Sequence, residues 1–226
     1  MLGIERGNQR NGHGWRQLAA DAGVTLDEVV RLRQVHGTRV VAATAPATVP
    51  SEADAVMTRD RRFLLTVQVA DCVPVLMGDF ATGAVAAVHA GWRGTAAGIG
   101  GRTVAELTRA FGSAPAHLVA AIGPSIGPCC YEVGRELRDV FLGAGWPEAS
   151  ISRWFREDEP RLDLWEANRD QLIAAGVRAE SISVSALCTA CHPAWFHSYR
   201  RDRERAGRMV GYIRSTNSPE LIPQSS

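Results

Sequence analysis

The chain has 226 residues, of which 46% are hydrophobic, so it can bury the core of one large domain or two small ones. Its formal net charge is +1 and its pI is about 7.7, which gives no indication of binding to nucleic acid or to a membrane. All 25 basic residues are arginine, and the absence of lysine excludes a Schiff-base lysine, a pyridoxal-phosphate lysine and a Walker-type phosphate loop. No linker-like segment divides the sequence, so we expect a single domain over residues 1–226.

The hydrophobic pattern predicts helices that alternate with mostly apolar strands. In chain order the predicted elements are a helix at 14–23, strands at 29–35, 38–43, 54–58, 63–70, 73–79 and 84–90, a helix at 95–111, a strand at 118–123, helices at 133–143 and 163–175, and strands at 181–187 and 208–213. Alternating helices and strands with several adjacent strands indicate a mixed α/β or α+β fold.

Three side chains with metal-binding chemistry stand at the ends of predicted strands. His36 closes one strand, Cys72 a second and His89 a third, at spacings of 36 and 17 residues. Imidazole and thiolate are natural zinc ligands, and three protein ligands leave a fourth position for water or substrate. The spacings are too long for a zinc-finger knuckle and suit ligands that tertiary folding brings together. The alternative is that the three side chains are buried separately in a core.

Two further functions fit the same residues. Cys72 could be a thiolate nucleophile with His89 as its base. A His₂Cys set with a distant methionine, for which Met77 is the candidate, also resembles a blue-copper centre. A complete four-copper oxidase needs about ten histidines, and this chain has six. One redox copper is therefore compatible with the sequence, and four are not.

The other cysteines give weaker indications. Cys188 and Cys191 form a C-x-x-C-H pattern, which is typical of covalent haem attachment, redox chemistry or half of a zinc knuckle. The chain has no second C-x-x-C and no export signal is apparent at its start, so we expect neither cysteine to carry haem or to be needed for metal binding. Cys130 lies in a loop rich in glycine and proline, where it could line a pocket or fill the core.

Two polar segments could bind an anion or a substrate. Arg93 lies in a Gly-Trp-Arg-Gly segment that directly follows the His89 strand, where its guanidinium and free N–H groups could hold an anion. The segment 196–202 places Ser198 and Arg200 beside aromatic residues. Its pattern by itself favours a solvent-exposed surface strand.

Taken together, these segments resemble the bacterial YfiH-like family, which is related to the human laccase-domain-containing protein. The matching segments are QVHGT (34–38), DAVMT (54–58), VADCVPV (69–75), AVHAGWRG (87–94), IGPSIGPCCYEV (122–133), DLWEAN (163–168), CT (188–189), FHSYRRD (196–202) and GRM (207–209). Members of this family usually begin with a Thr-Arg-x-Gly-Gly-Val-Ser-like strand and loop. Residues 1–27 lack that pattern, so the chain is expected to be divergent or shortened at its start.

The resemblance implies a fold and a metal site. The implied fold is one layered α/β domain with a mixed β-sandwich and flanking helices, similar to cysteine-hydrolase-like domains. The implied cofactor is zinc on His36, Cys72 and His89, with copper as an alternative or adventitious metal. The expected location is the cytoplasm, and the expected state is a monomer or homodimer without nucleic-acid or membrane partners.

The resemblance also implies activities on purine nucleosides and phosphate. These are phosphorolysis of inosine, adenosine and methylthioadenosine, and hydrolytic deamination of adenosine. Arg93 and Arg200 are candidates for binding phosphate, Ser198 is a further substrate-binding candidate, and Asp71 or Glu132 could move the proton during deamination. The alternatives are a copper-dependent polyphenol oxidase and a Cys72-dependent amidohydrolase that edits peptidoglycan precursors.

Overall fold

The computed structural model describes residues 2–7, 13–46, 49–156 and 160–216. The strands are β1 (Leu2–Gly7), β2 (Val29–Val30), β3 (Leu32–Arg33), β4 (Val40–Ala42), β5 (Ser51–Glu52), β6 (Ala55–Thr58), β7 (Leu64–Val69), β8 (Val73–Asp79), β9 (Val85–Ala90), β10 (Leu118–Ile122), β11 (Phe155–Arg156), β12 (Arg161–Leu162), β13 (Ile182–Val184) and β14 (Arg208–Ile213). The α-helices are α1 (His13–Asp21), α2 (Trp92–Ala96), α3 (Ile99–Phe111), α4 (Glu136–Gly143), α5 (Glu148–Trp154), α6 (Leu164–Ala174) and α7 (Tyr199–Asp202).

Two mixed sheets organise these elements. The larger has six strands in the order β13-β10-β8-β9-β6-β4, antiparallel from β10 to β6 and parallel at both ends. The smaller has four strands in the order β1-β14-β7-β2. Two short two-stranded ladders, β3-β5 and β11-β12, lie beside them. The pairing of β8 with β9 sets Val73 opposite Ala90, which brings the ends of two predicted site strands together.

Strand β9 shows how the layers pack. All six of its residues are buried, because alternate side chains enter two different cores. Ala86 and Val88 belong to the large core that also contains residues of helices α3 to α6. Val85 and Ala87 belong to a core shared with Leu65 and other residues of the four-stranded sheet. The six-stranded sheet therefore lies between the helical layer and the second sheet.

Helix α1 covers the outer face of the smaller sheet. Trp15 and Leu18 pack with Leu64 and Val210 in a third core. The layer order is thus α1, four-stranded sheet, six-stranded sheet and the helices α3 to α6. This confirms the predicted mixed α/β fold of packed sheets and flanking helices, while the single-domain organisation stays a prediction. No helix in the described ranges is both long and apolar enough to cross a membrane.

Several elements differ from their predicted bounds. The predicted strand 29–35 is two short strands, because β2 pairs with β7 whereas β3 pairs with β5. The predicted helix 95–111 is broken at Gly98, whose φ of +75° ends α2 and begins α3. Left-handed backbone of this kind is inexpensive only for glycine. In the segment 196–202, where a surface strand was favoured, the chain forms the short helix α7.

The sequence pattern did not predict the short strands β5, β11 and β12, and it also missed two longer elements. Strand β1 pairs antiparallel with β14 over its whole length, so part of the divergent N-terminal segment completes the smaller sheet. Residues 8–12 of that segment lie outside the described ranges. Helix α5 follows Pro147 and buries Ile151 and Trp154.

The large core generates a stability prediction. Phe141 is fully buried, and its ring meets those of Trp154 and Phe155 edge to face at centroid distances of 5.9 and 5.4 Å. Truncation of such a residue removes transfer energy and leaves a cavity, so Phe141→Ala should lower the free energy of unfolding by about 3–5 kcal/mol. Urea denaturation followed by fluorescence or circular dichroism would measure this. The matched control is Phe80→Ala, at a side chain that is 78% exposed, which should change stability by about 0.5 kcal/mol or less. Equal effects in the two variants would contradict the core described here.

Candidate metal site and pocket

The structure brings His36, Cys72 and His89 together. Their ligand atoms all lie within 4.8 Å of one another. The Nε2 atom of His36 is 3.8 Å from the Sγ atom of Cys72, and the two imidazole rings meet edge to face with centroids 4.8 Å apart. His36 follows β3, Cys72 directly precedes β8, and His89 is the penultimate residue of β9. That a metal binds them stays a prediction, and the geometry is suitable for it.

A buried carboxylate orients two of these three side chains. Asp54 is completely buried, and its Oδ1 atom accepts hydrogen bonds from the backbone N–H of His36 at 2.9 Å and from Nδ1 of His89 at 2.8 Å. Its Oδ2 atom accepts from the backbone N–H groups of Val35 and Gly37 at 3.2 and 2.7 Å. Because Nδ1 of His89 is occupied by Asp54, its Nε2 atom is the one available to a metal ion, an arrangement common among histidine ligands.

The ionisation of the site follows from these contacts. Burial raises the pKa of the Cys72 thiol, but His36 and His89 outweigh it and lower this pKa to about 6. Burial lowers the pKa of His89, but the hydrogen bond to Asp54 and the adjacent Cys72 raise it to about 9. Burial also raises the pKa of Asp54, and the hydrogen bonds from His89 and Gly37 hold it below its usual value. The thiol of Cys72 is thus readily available as the thiolate, the form that binds metals and attacks electrophiles.

Unusual backbone conformations position the ligands. His36 has a φ of +60° and Asp71, next to Cys72, a φ of +82°. Non-glycine residues rarely adopt such angles, and each costs on the order of 1–3 kcal/mol. At His36 the three hydrogen bonds from the turn to Asp54 hold this conformation. At Asp71 both carboxylate oxygens are bound, Oδ1 by the hydroxyl of Thr189 at 2.6 Å and Oδ2 by the backbone N–H of Arg200 at 2.6 Å.

Two glycines let the backbone approach the site closely. A Cβ atom at Gly91 would lie 2.9 Å from Cδ2 of His36 and 3.0 Å from Sγ of Cys72. A Cβ atom at Gly94 would lie 3.2 Å from the carbonyl oxygen of Gly37. Because these two positions carry no side chain, the segment after β9 can pass close to His36 and Cys72.

The three side chains line a cavity of about 600 Å³. Its lining includes the cationic side chains Arg93, Arg200, Arg203 and Arg208, while Asp71 is the acidic one among its described residues. Because four guanidinium groups line the cavity beside one carboxylate, positive charge dominates it. The cavity is large enough for a small-molecule ligand, and its charge favours an anionic one.

Aromatic rings hold two of the arginines. The guanidinium carbon of Arg93 lies 4.2 Å from the centroid of the Trp92 ring, and that of Arg200 lies 5.1 Å from the centroid of Tyr131. An Nη1 donor of Arg200 also binds the carbonyl oxygen of Glu132 at 2.8 Å. Burial is the largest cause that raises the pKa of Tyr131 to about 12, so this ring stays uncharged.

The remaining predicted residues fall into two groups. Arg93, Arg200 and Asp71 line the cavity. Ser198 does not: it is fully buried, and its hydroxyl oxygen accepts a hydrogen bond from the backbone N–H of Arg201 at the start of α7. The side chain of Glu132 is exposed and likewise lies outside the lining.

Four residues of the site were not predicted from the sequence, namely Asp54, Tyr131, Arg203 and Arg208. Asp54 lies at the start of an apolar strand, where a charged side chain without a partner would be costly. That position is the signal that could have identified it.

The sequence and the fold were compared with known proteins. The profile of the family described as "Multi-copper polyphenol oxidoreductase laccase" matches residues 8–216. "Purine nucleoside phosphorylase YlmD" of Geobacillus stearothermophilus is 38% identical over 94% of this chain and 82% of its own length. "Purine nucleoside phosphorylase" of Deinococcus radiodurans is 42% identical over 87% of this chain and 74% of its own.

Solved structures agree with these matches. The YfiH protein of Bacillus licheniformis superposes with a TM-score of 0.84 at 34% identity, covering 92% of this chain and 82% of that one. YlmD from Geobacillus stearothermophilus superposes with a TM-score of 0.83 at 39% identity, covering 90% and 79%. The resemblance found in the sequence motifs is confirmed, and the chain belongs to the YfiH-like family of multi-copper polyphenol oxidoreductase laccase proteins.

Proposed function

We propose that the chain is a zinc-dependent purine nucleoside phosphorylase that also deaminates adenosine by hydrolysis. One observation carries the proposal: a three-ligand site with nitrogen and sulfur donors opens into an arginine-lined cavity of about 600 Å³. Relatives that align with most of this chain are named purine nucleoside phosphorylases, which supports the same substrates here. Inosine, adenosine and methylthioadenosine are the proposed nucleosides.

The donor set suits zinc. His36, Cys72 and His89 would supply two imidazoles and a thiolate, which are borderline to soft ligands, and all three side chains line the cavity. Asp54 fixes the tautomer of His89, as the partners of zinc-binding histidines commonly do. Zinc in this position would act as a Lewis acid and would lower the pKa of water at its open position towards 7.

Because the chain has no lysine, arginine is the side chain that would bind phosphate. Arg93 follows His89 by four residues, and Arg200 enters the cavity from α7, so the two can approach an anion from different elements. In phosphorolysis a phosphate oxygen forms a bond to C1′ while the C1′–N9 bond of the nucleoside breaks and the purine leaves with that electron pair. The guanidinium groups would hold phosphate for that attack and neutralise part of its charge.

Deamination needs a group that moves a proton, and the two candidates differ in position. Asp71 lines the cavity, but Thr189 and Arg200 already occupy both of its carboxylate oxygens. The side chain of Glu132 is exposed and outside the lining. Asp71 is the better placed of the two, although its hydrogen bonds favour a positioning role for the loop that carries Cys72.

A second candidate function rests on a specific contact. The hydrogen bond from His89 to Asp54, with Cys72 next to the same imidazole, resembles the nucleophile, base and orienting group of a cysteine hydrolase. Such an amidohydrolase, acting for instance on a peptidoglycan precursor, would need no metal and would be inactivated by alkylation of Cys72. The metal analysis below distinguishes it from the zinc enzyme.

The copper-oxidase alternative is weakened by the position of Met77. This side chain belongs to the large core beneath the six-stranded sheet, and it lies five residues along β8 from Cys72. At the rise of a β-strand that is about 16 Å, far beyond the length of a metal–sulfur bond. The proposed axial ligand of a blue-copper centre is therefore not at the site.

The metal prediction concerns Cys72. Cys72→Ala should lower the zinc content by one equivalent per chain and abolish phosphorolysis of inosine, because it removes the only thiolate of the three-ligand site. Mass spectrometry of metals in the purified protein would measure the zinc. Ser183→Ala deletes a side chain of similar size on an exposed strand position and should change neither quantity. A Cys72→Ala protein with the zinc content and activity of the parent protein would contradict the assignment of Cys72 as a zinc ligand.

A second prediction separates phosphate binding from the rest of the site. Loss of a charged partner to a desolvated anion typically costs about 2–5 kcal/mol. Arg93→Ala should therefore raise the KM for phosphate at least tenfold while adenosine deamination, which uses water, changes much less. Arg109→Ala serves as the control, because this exposed arginine pairs with Glu106 on the surface of α3. Equal loss of both activities in Arg93→Ala would move the phosphate role to Arg200.

A third prediction compares the metals on one preparation, stripped and then reloaded separately with zinc or copper. The zinc form should convert inosine and phosphate to hypoxanthine and ribose 1-phosphate, and adenosine to inosine, without oxidising phenols, because zinc has no redox chemistry. Copper binds most such sites more tightly than zinc, so the copper form should gain at most slow phenol oxidation. Chromatography of the nucleosides and oxygen uptake would measure the two reactions. An inert zinc form beside a copper form with kcat on the order of 10 s⁻¹ would establish the oxidase instead.

A further inference from the structure

A second cluster of metal-binding side chains lies outside the site described above. The Sγ atoms of Cys129, Cys130, Cys188 and Cys191 all lie within 4.8 Å of one another. Two loops contribute them, because an adjacent cysteine pair follows Pro128 and a C-x-x-C pair follows β13. The absence of a second C-x-x-C was the reason to expect no metal role for Cys188 and Cys191. The structure places the adjacent pair Cys129-Cys130 beside them, so the C-x-x-C pair has a second cysteine pair as its neighbour without a second C-x-x-C.

The distances in this cluster match those of a four-thiolate metal centre. With zinc–sulfur bonds of about 2.3 Å, the sulfur atoms of a tetrahedral site are about 3.8 Å apart. The Sγ atom of Cys191 lies 3.6 Å from that of Cys129 and 3.4 Å from that of Cys130. A disulfide would require about 2.05 Å, and none of the five cysteines forms one.

Backbone contacts support negative charge on the sulfur of Cys188 and hold the two cysteine loops in place. The backbone N–H of Gly127 donates to Sγ of the buried Cys188 at 3.3 Å, and hydrogen bonds of this kind stabilise a thiolate. The guanidinium of Arg161 binds the carbonyl oxygen of Cys129 at 2.7 Å. That of Arg201 binds the carbonyl oxygens of Thr189 and Ala190, between the two cysteines of the C-x-x-C pair, at 2.9 and 3.3 Å.

We propose that Cys129, Cys130, Cys188 and Cys191 bind a second zinc ion in a closed structural site. One Zn²⁺ replaces the protons of four thiols, which pass to solvent, and the resulting centre carries a charge of −2. Four protein ligands leave no position for water or substrate, so this zinc takes no part in chemistry. The proposal is independent of the function proposed above, because the two sites share no ligand.

The role of this zinc is to fix one wall of the cavity. The first loop carries Ile126 and Tyr131, which both line the cavity. The second carries Thr189, whose hydroxyl holds Asp71 next to Cys72. The loops already touch through the backbone hydrogen bond from Thr189 to Ser125 at 3.0 Å. A metal ion that bridges them would hold the cavity wall to the residues that position Cys72.

The test counts zinc in four proteins: the parent chain, Cys72→Ala, Cys191→Ser and the double variant. After gel filtration with a weak chelator, we expect two, one, one and zero equivalents per chain. Cys72→Ala and Cys191→Ser act as reciprocal controls, because each removes one site and leaves the other. If Cys191→Ser binds as much zinc as the parent, or if Cys72→Ala binds none, the second site does not exist. Neither result depends on measuring nucleoside turnover, so a failure of the proposed function is seen separately.

Spectroscopy and thiol counting keep the test decisive if Cys191→Ser does not fold. Cobalt loaded into Cys72→Ala should give a strong thiolate-to-cobalt charge-transfer band with tetrahedral ligand-field bands. Its four remaining thiols should resist alkylation until a strong chelator is added. The parent chain, unfolded without reductant, should show five titratable thiols. A featureless cobalt spectrum or unprotected thiols would overturn the proposal. A count of three or of one would show that the cluster holds one or two disulfides instead.

Discussion

The geometry of the candidate metal site depends on one buried carboxylate. Asp54 accepts hydrogen bonds from three consecutive N–H groups of the His36 turn and from the ring of His89. Its own carbonyl oxygen accepts the backbone N–H of His89 at 2.7 Å. Without this carboxylate, the buried ring N–H of His89 would lack an acceptor, at about 1–3 kcal/mol, and the three partly buried N–H groups that support the left-handed turn at His36 would lose theirs. The three side chains are therefore held by an anion that is not itself part of the cavity lining.

The same three donor side chains are compatible with both of the activities for which proteins of this family are named. The family is described by copper oxidase chemistry, whereas several relatives are named for purine phosphorolysis. Two imidazoles and a thiolate bind zinc and copper alike, so the ligands cannot distinguish the two activities. The surroundings do: the chain has six histidines, Met77 lies in the core, and arginines line the cavity. The first two features count against a multi-copper or blue-copper centre, and the arginines favour an anionic ligand.

The sequence predicted the parts of the structure that depend on short-range pattern. The mixed α/β fold followed from helices that alternate with apolar strands such as β9, and the resemblance to a family implied its layers. His36, Cys72 and His89 were singled out because imidazole and thiolate are metal ligands and stand at the ends of predicted strands. The role of Asp54 could not be predicted, since it depends on a turn from another part of the chain folding over its carboxylate. The four-cysteine cluster was missed for a related reason. Two adjacent cysteines are not a known half of a metal-binding motif. Their proximity to the C-x-x-C pair is visible only in the folded structure.

The absence of a side chain at Gly91 leaves room for two of the three candidate metal ligands. The backbone of Gly91 lies against the side chains of His36 and Cys72. A Cβ atom at this position would lie 2.9 Å from Cδ2 of His36 and 3.0 Å from Sγ of Cys72. A side chain at position 91 would require the imidazole of His36 and the thiol of Cys72 to move from the places in which they meet His89. We therefore expect a homologous chain with alanine or a larger residue here to hold the three donor atoms in a different arrangement, even where both histidines and the cysteine are kept. Position 91 thus carries information about the geometry of the three side chains that their identities alone do not.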